Sequence, residues 1–137
     1  MTFPAASFDC AFLVAAIHHS LSPLKTLLEA RRVLKPGGAL LMVETPSSIA
    51  AVRERRRESI ALSRSTGATE ICYTTGELEY LLQQAGFDRV DLYPVDGFTR
   101  GPIRKGLRAG MRLLGVENFF KPPIYVIVAR GPASTHG

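Results

Sequence analysis

The sequence predicts an α/β fold, and two observations carry that prediction. Short apolar runs of strand length alternate along the 137-residue chain with segments whose apolar residues recur at helical spacing. The first two runs are almost uniformly apolar, which is typical of parallel strands that are buried on both faces. We therefore expect a sheet with a parallel pair of strands and flanking helices.

The N-terminal part of the chain predicts a strand, a helix and a second strand. Residues 8–17 (FDCAFLVAAI) form the first apolar run. A helix then begins with Ser22 as its N-cap and Pro23 at its first position, and the Pro-Gly-Gly of residues 36–38 ends it. Residues 39–43 (ALLMV) form the second run. This order makes a right-handed βαβ unit the default topology.

The middle of the chain predicts two helices of different character. Residues 47–66 show helical spacing but are mostly polar, so we expect that helix to lie over the outside of the domain. The next helix begins with a capping box formed by Thr74 and Glu77. It runs to Gln84, and Gly86 is its expected C-cap.

The C-terminal part predicts two further strands, residues 87–93 and 124–129. Residues 94–123 form a long insertion between them. An apolar stripe in this insertion is expected to pack on the core or as a lid, with substrate covering or subunit pairing as alternatives; it consists of Leu107, Met111 and Leu114. Residues 131–137 are expected to be a frayed tail. The whole of residues 1–137 is expected to be a single domain.

Composition excludes several classes of protein. A hydrophobic fraction of 46% with 21% charged residues excludes a disordered chain. The longest apolar run is far shorter than the ~20 residues of a membrane helix, and no secretory leader pattern is seen. Cys10 and Cys72 lie far apart and form no metal-type spacing. We therefore expect no metal site and a reducing, cytoplasmic location.

The net charge of +5 is concentrated in two segments. Residues 100–121 hold six Lys and Arg and one Glu, and residues 53–64 hold five Arg and two Glu. Such clusters can attract nucleic acids or acidic partners. Solvated helix faces are the favoured interpretation, because no aromatic residues interleave with the arginines as a base-stacking surface requires.

Several motifs in this sequence occur together in one family of enzymes. Phe8 and Asp9 open the first strand, and the pair His18-His19 follows it. Residues 29–38 contain Glu-x-x-Arg-Val-Leu-Lys-Pro-Gly-Gly, and residues 85–87 are Ala-Gly-Phe. In these motifs the sequence resembles the second half of class I S-adenosylmethionine-dependent methyltransferases. The likeness is greatest to the small-molecule group that includes the ubiquinone- and menaquinone-biosynthesis enzymes.

The resemblance implies a partial Rossmann-like methyltransferase sheet. Its four strands correspond to the family's fourth, fifth, sixth and seventh, with the seventh inserted between the fifth and the sixth. The resemblance also implies S-adenosyl-L-methionine as the cofactor and a small molecule as the methyl acceptor. The methyl group would be transferred by direct in-line displacement.

The sequence departs from the family in its cofactor-binding motifs. It contains no Gly-x-Gly-x-Gly turn and no acidic residue at the end of a preceding strand, which in the family bind the cofactor. We therefore expect this chain to be a C-terminal portion that binds the cofactor poorly alone. Its first strand would be a sheet edge that invites pairing. The expected partners are a second copy of the chain or a separate N-terminal half; poor solubility is the other expected consequence.

The candidate site residues cluster after the first strand. Leu13, Val14 and Ala15 lie at its carboxyl end, where open α/β sheets bind ligands. The resemblance implies that their backbone lines the methionine side of the cofactor, and core packing is the alternative role for their side chains. His18 is expected to join that cofactor site, and His19 to act as a general base. Both could instead be helix-entry histidines, since methyl transfer needs mainly alignment of the reacting groups.

Tyr73 is the candidate substrate residue, because it precedes the capping box in a segment that covers the substrate in relatives. Packing on the surface is the alternative for this side chain.

Three functions remain open from the sequence. The first is the C-terminal portion of a small-molecule methyltransferase. The second is a non-catalytic remnant or interaction module that pairs through its edge strand. The third is a nucleic-acid-associated protein, suggested by the basic segment of residues 100–121.

Overall fold

A computed structural model describes residues 3–47, 52, 56, 58, 71–95 and 124–133. Its regular elements are β1 (Phe8–Val14), a short 3-10 helix (Ile17–His19), α1 (Pro23–Val33), β2 (Leu34–Glu44), α2 (Thr75–Gln84), β3 (Arg89–Val95) and β4 (Ile124–Arg130). Residues 52, 56 and 58 are also helical. The α/β fold class predicted from the sequence is confirmed.

The four strands form one sheet in the order β1-β2-β4-β3. β1 and β2 are parallel, whereas β4 runs antiparallel to both β2 and β3. This is the order that the resemblance implied, with the last strand of the chain inserted between the second and the third. Within the described residues β1 pairs only with β2, so its other side is a sheet edge.

Helices α1 and α2 contribute to one apolar core with one face of the sheet. The side chains at its centre are almost fully buried, and they are Ile17, Leu27, Leu40, Met42, Leu78, Leu82, Phe87, Ile127 and Ala129. Burying one large aliphatic side chain contributes about 1.5–3 kcal/mol, so this cluster is the main source of stability in the described structure.

The first strand is shorter and more exposed than the sequence predicted. It ends at Val14 instead of residue 17, because Ala15 takes a positive φ of 48° and turns the chain. The expectation of burial on both faces is wrong for β1, since Phe12 is 68% and Val14 63% exposed. Some apolar side chains of β1 are thus left uncovered by the described helices and strands.

The end of α1 also differs from its prediction. The helix stops at Val33, and the backbone N–H of Leu34 donates to the carbonyl of Ala30. The Pro-Gly-Gly segment lies within the span of β2 instead of capping the helix. Gly37 has a φ of 74°, a conformation that glycine adopts at little cost.

The third strand spans Arg89–Val95 instead of residues 87–93, so residues 94 and 95, which were assigned to the insertion, pair with β4. Thr74 and Glu77 form the predicted capping box of α2. The C-cap is Ala85 instead of the predicted Gly86, which is the next residue and has a φ of 88°. Residues 131–133 have no regular structure. The predicted helix over residues 47–66, the insertion over 94–123 and the tail beyond residue 133 lie mostly or wholly outside the described ranges.

Candidate functional site

The candidate site lies where the parallel strands β1 and β2 end. Val14 is paired with Val43 in the last step of their ladder, and Glu44 is the final residue of β2. Parallel strands bring their carboxyl ends to the same edge of the sheet. The turn after β1 and the last side chain of β2 therefore meet there, in the region where open α/β sheets bind ligands.

The turn after β1 is held in a strained conformation. Ala15 has a φ of 48°, and its backbone N–H donates to the carbonyl of Val43 at 2.9 Å. A non-glycine residue in this left-handed region costs roughly 1–2 kcal/mol. The neighbouring hydrogen bonds must offset that cost.

The carboxylate of Glu44 supplies most of those hydrogen bonds. Its Oε1 accepts from the backbone N–H groups of Ala16 at 3.0 Å and Ile17 at 3.1 Å. Its Oε2 lies 2.9 Å from Nδ1 of His18. Glu44 is only 6% exposed, so this charge is buried and depends on these donors.

The partner of Glu44 sets the orientation of His18. A carboxylate only accepts hydrogen bonds, so Nδ1 of His18 carries the hydrogen and Nε2 is an acceptor in the neutral ring. The His18 side chain is 26% exposed. Its ring lies against that of His19, with 4.1 Å between the centroids. The arrangement couples a buried carboxylate, an oriented imidazole and a second histidine that is exposed.

The predicted site residues differ in how deeply they are buried. Leu13 packs against the core, whereas the side chains of Val14 and Ala15 are exposed. His18 and His19 follow in the 3-10 helix. All five belong to β1 and the turn after it, and the turn is fixed to the end of β2 by the hydrogen bonds of Ala15, Ala16 and Ile17.

Tyr73 is buried, with 9% of its surface exposed, so the alternative of surface packing is wrong. Its carbonyl accepts from the backbone N–H of Ser47 at 2.9 Å, and the N–H of Ile71 donates to the carbonyl of His18 at 2.8 Å. Residues 71–73 therefore run beside the ends of both parallel strands. Burial raises the pKa of the Tyr73 hydroxyl, so this group is protonated at neutral pH.

An open surface pocket of about 420 Å³ adjoins Tyr73. Its wall includes Tyr80 and Leu81 from α2 and the ion pair between Arg56 and Glu77, whose charged atoms are 2.7 Å apart. Burial raises the pKa of Glu77, but the hydrogen bonds from Thr74 and Arg56 outweigh it and leave the pKa below its ordinary value.

Sequence reasoning missed Glu44. The signal was present, because Glu44 is a charged residue that directly follows the uniformly apolar run of residues 39–43. A carboxylate at the carboxyl end of a buried parallel strand lies where ligands bind in open α/β sheets. Its hydrogen-bond partners come from another part of the chain and could not be predicted from spacing.

If a nucleoside cofactor bound at this strand end, the described residues could supply only part of its site. They provide exposed surface at Val14 and Ala15, but both carboxylate oxygens of Glu44 are already engaged within the protein. This set fits one wall of a cofactor site. Among the described residues there is no cluster of His, Cys, Asp and Glu that could hold a metal ion. The helices in those same ranges include none long and apolar enough to cross a membrane.

Comparison with known proteins gives related sequences. Residues 1–42 match the profile of a family described as a methyltransferase domain. The chain is also 30% identical over 105 residues to the 27-O-demethylrifamycin SV methyltransferase of Amycolatopsis mediterranei, a match covering 73% of this chain and 36% of that protein. The chain is a relative of the class I S-adenosylmethionine-dependent methyltransferases.

Solved structures with the class I methyltransferase fold resemble nearly the whole chain. One is a Haloferax volcanii methyltransferase, solved in a complex with the Trm112 methyltransferase activator. It aligns with a TM-score of 0.66 at 18% identity, and the alignment covers 100% of this chain and 59% of the Haloferax chain. The cyclase SpnF aligns with a TM-score of 0.64 at 22% identity, covering 98% and 54% respectively. These likenesses show the class I methyltransferase fold.

The chain spans only part of the length of these relatives, and it matches 36% of the Amycolatopsis mediterranei methyltransferase. The family implies S-adenosylmethionine as its cofactor.

Proposed function

We propose that this chain is the C-terminal portion of an S-adenosylmethionine-dependent methyltransferase that methylates a small molecule. The observation that carries the proposal is the Glu44–His18 pair at the carboxyl ends of β1 and β2, at 2.9 Å. A buried carboxylate that orients an imidazole is an arrangement that suits proton transfer from a substrate hydroxyl or amine.

When bound, the cofactor supplies an electrophilic methyl group. His18 acts on the acceptor, because its Nε2 atom takes the proton that the attacked oxygen or nitrogen loses. Nδ1–H of His18 continues to donate to Oε2 of Glu44, which stabilises the imidazolium that forms. Glu44 also fixes the turn through the N–H groups of Ala16 and Ile17. It therefore positions both the ring and the backbone that lines the cofactor.

The roles of the neighbouring residues follow from their positions. Val14 and Ala15 are exposed and face the methionine side of the cofactor, and Leu13 anchors the end of the strand in the core. His19 is the second candidate base, because its ring lies against that of His18, tilted by 53°. Tyr73 belongs to the acceptor side of the site.

The choice between the two histidines is testable in a complete enzyme assay. We expect His18→Gln to lower kcat more than His19→Gln, and to flatten the acidic limb of the pH–rate profile. If His19→Gln has the larger effect on both, His19 is the base. If neither variant changes the profile, methyl transfer proceeds by alignment alone.

Cofactor binding is proposed to need a complementing N-terminal portion. Two features support this: the sequence lacks a Gly-rich turn, and β1 presents an unpaired edge within the described residues. A strand edge with exposed Phe12 and Val14 can accept a further strand from an N-terminal half. The partner at this edge could also be a second copy of the chain.

The second candidate function is a non-catalytic interaction module that uses the same edge. It is favoured by the exposed apolar side chains of β1, and it does not require the Glu44–His18 pair to take part in chemistry. The two candidates differ in whether a cofactor binds once the edge is covered.

Calorimetric titration with S-adenosylhomocysteine tests the proposal. We expect weak or no binding by the chain alone, and clear binding after co-expression with the segment encoded directly upstream of it. Clear binding by the chain alone would show that no complement is needed. The absence of binding in both samples would support the interaction module.

A further inference from the structure

Residues 71–73 connect the 3-10 helix that carries His18 with the first turn of α2. The backbone N–H of Ile71 donates to the carbonyl of His18 at 2.8 Å, and the carbonyl of Tyr73 accepts from the N–H of Ser47 at 2.9 Å. Ile71 packs against the apolar core, and Tyr73 is part of that core. The segment is therefore fixed to the residues that follow both parallel strands, and it contacts the backbone of His18 directly.

Glu77 holds the other end of this segment with both of its carboxylate oxygens. Its Oε2 accepts from the backbone N–H of Thr74 at 2.8 Å and lies 3.2 Å from the Thr74 Oγ1. Its Oε1 accepts from Nη2 of Arg56 at 2.7 Å, and the same Nη2 lies 3.5 Å from the carbonyl of Cys72. Hydrogen bonds to an ionised carboxylate are roughly twice as strong as bonds between neutral groups. Glu77 therefore restrains the position of Thr74, the residue that directly follows the segment.

We propose that Glu77 is a positioning residue for His18 and acts through Thr74 and residues 71–73. The contacts run from the Glu77 carboxylate to the N–H of Thr74, along the backbone of the segment, and to the carbonyl of His18. Glu44 orients the ring of His18 through Nδ1, whereas Glu77 fixes the backbone that carries the ring. That this ring acts as a base rests on the proposed function.

Spectra of the His18 ring in a ¹⁵N-labelled sample test the positioning role. They are recorded at alkaline pH, where imidazole is neutral. In Glu77→Ala we expect the ratio of the Nδ1–H form to the Nε2–H form of the ring to fall about two- to fivefold, because part of the free energy of one hydrogen bond is lost. We also expect the Ile71 amide to exchange its hydrogen about tenfold faster, because its bond to His18 opens more often.

Two variants of Thr74 separate positioning from a loss of helix stability. Thr74→Ala removes the hydroxyl that caps α2 but keeps the backbone N–H that donates to Glu77, so the ring of His18 should be unchanged. Thr74→Pro removes that N–H as well, at a φ of −80° that proline can adopt, and should reproduce the effect of Glu77→Ala.

Two variants of glutamates in α2 complete the comparison. Glu77→Gln keeps an oxygen that can accept from Thr74 and should restore the unsubstituted ratio of ring forms. Glu79→Ala is the matched control, because Glu79 lies on the same helix outside the capping box, and it should change neither the ring nor the Ile71 exchange rate.

The proposal is overturned if Glu77→Ala and Thr74→Pro leave the His18 ring and the Ile71 exchange rate unchanged. Equal changes in Thr74→Ala or Glu79→Ala would also overturn it, since they would show a general loss of stability. The spectra use neither cofactor nor methyl transfer. A negative result here therefore leaves the calorimetric test of the proposed function intact, and a failure there leaves the positioning of His18 intact.

Discussion

The two faces of the sheet differ in how well they are covered, although their sequences are similarly apolar. On the face that packs against α1 and α2, the neighbouring residues Leu40 and Ala129 are fully buried. On the opposite face, the row formed by Phe12, Leu41 and Val128 ends in a Phe12 side chain that is 68% exposed. The residues alternate between the faces, and their burial alternates with them.

Apolar residues on both faces of a strand indicate that both faces are suited to burial, but they do not show that both are covered. A strand with apolar residues on both faces is suited to a sheet that is covered on both sides. The described helices α1 and α2 both belong to one core cluster. Among the described residues, the second apolar face and the free edge of β1 are therefore suited to bind a further protein segment.

The largest expected effect is on the free energy of unfolding, and it should differ between substitutions on the two faces of the sheet. Leu40→Ala should lower the free energy of unfolding by about 2–5 kcal/mol, because it leaves a cavity in a fully buried site. Leu41→Ala removes the same atoms from the partly exposed face and should cost less than half as much. Urea denaturation of both variants measures the difference. Equal losses would show that the two faces are equally covered.

Replacement of Glu44 should have the next largest effect on stability. Glu44→Ala leaves the N–H groups of Ala16 and Ile17 without their acceptor and should cost about 1–3 kcal/mol. Glu44→Gln keeps an acceptor oxygen and should retain most of the stability. Equilibrium unfolding checks the stabilities, and ¹⁵N spectra of the His18 ring report whether Nδ1 still carries the hydrogen. If the alanine variant is as stable as the unsubstituted chain, Glu44 does not hold the turn.

The capping box of α2 should show a smaller effect that depends on pH. Thr74→Ala should cost about 1 kcal/mol near neutral pH, because the N–H of Glu77 loses its acceptor. The pKa of Glu77 lies below its ordinary value of 4.5 in the folded chain. The contribution of the Glu77 carboxylate is therefore complete above pH 4.5 and is lost as the pH falls through the folded pKa. Glu77→Gln should abolish this part of the pH dependence of unfolding.

The smallest effect on stability is expected at the edge strand. Val14→Lys places a charge on a side chain that is 63% exposed, so the free energy of unfolding should change by no more than about 0.5 kcal/mol. The same change should weaken association through β1, since charged residues on an edge oppose strand pairing. Sedimentation velocity detects this. A large loss of stability with unchanged association would contradict the assignment of β1 as a binding edge.

Local patterns predicted much of the fold. The Thr74–Glu77 capping box, the span of β4 and the strand class of residues 39–43 follow from short motifs and apolar runs. The end of β1 did not follow, because the positive φ of Ala15 depends on hydrogen bonds to Val43 and Glu44. Such bonds join residues far apart in the chain, and no local pattern contains them.

The candidate site was predicted only in part for the same reason. The sequence placed residues 13–15 and the two histidines at a strand end, which required only the position of one apolar run. The pairing of Glu44 with His18 required the register between two strands. The burial of Tyr73 required the packing of residues 71–73 beside both strand ends.

The measurement that most directly tests the central claim follows backbone amide signals during titration with S-adenosylhomocysteine. The proposed site predicts shifts concentrated at residues 14–18, weak in the chain alone and saturable when the β1 edge is covered by an N-terminal portion. Glu44→Ala should abolish them. Shifts confined to other parts of the sheet, or none with the edge covered, would contradict the assignment of this strand end as the cofactor-facing wall.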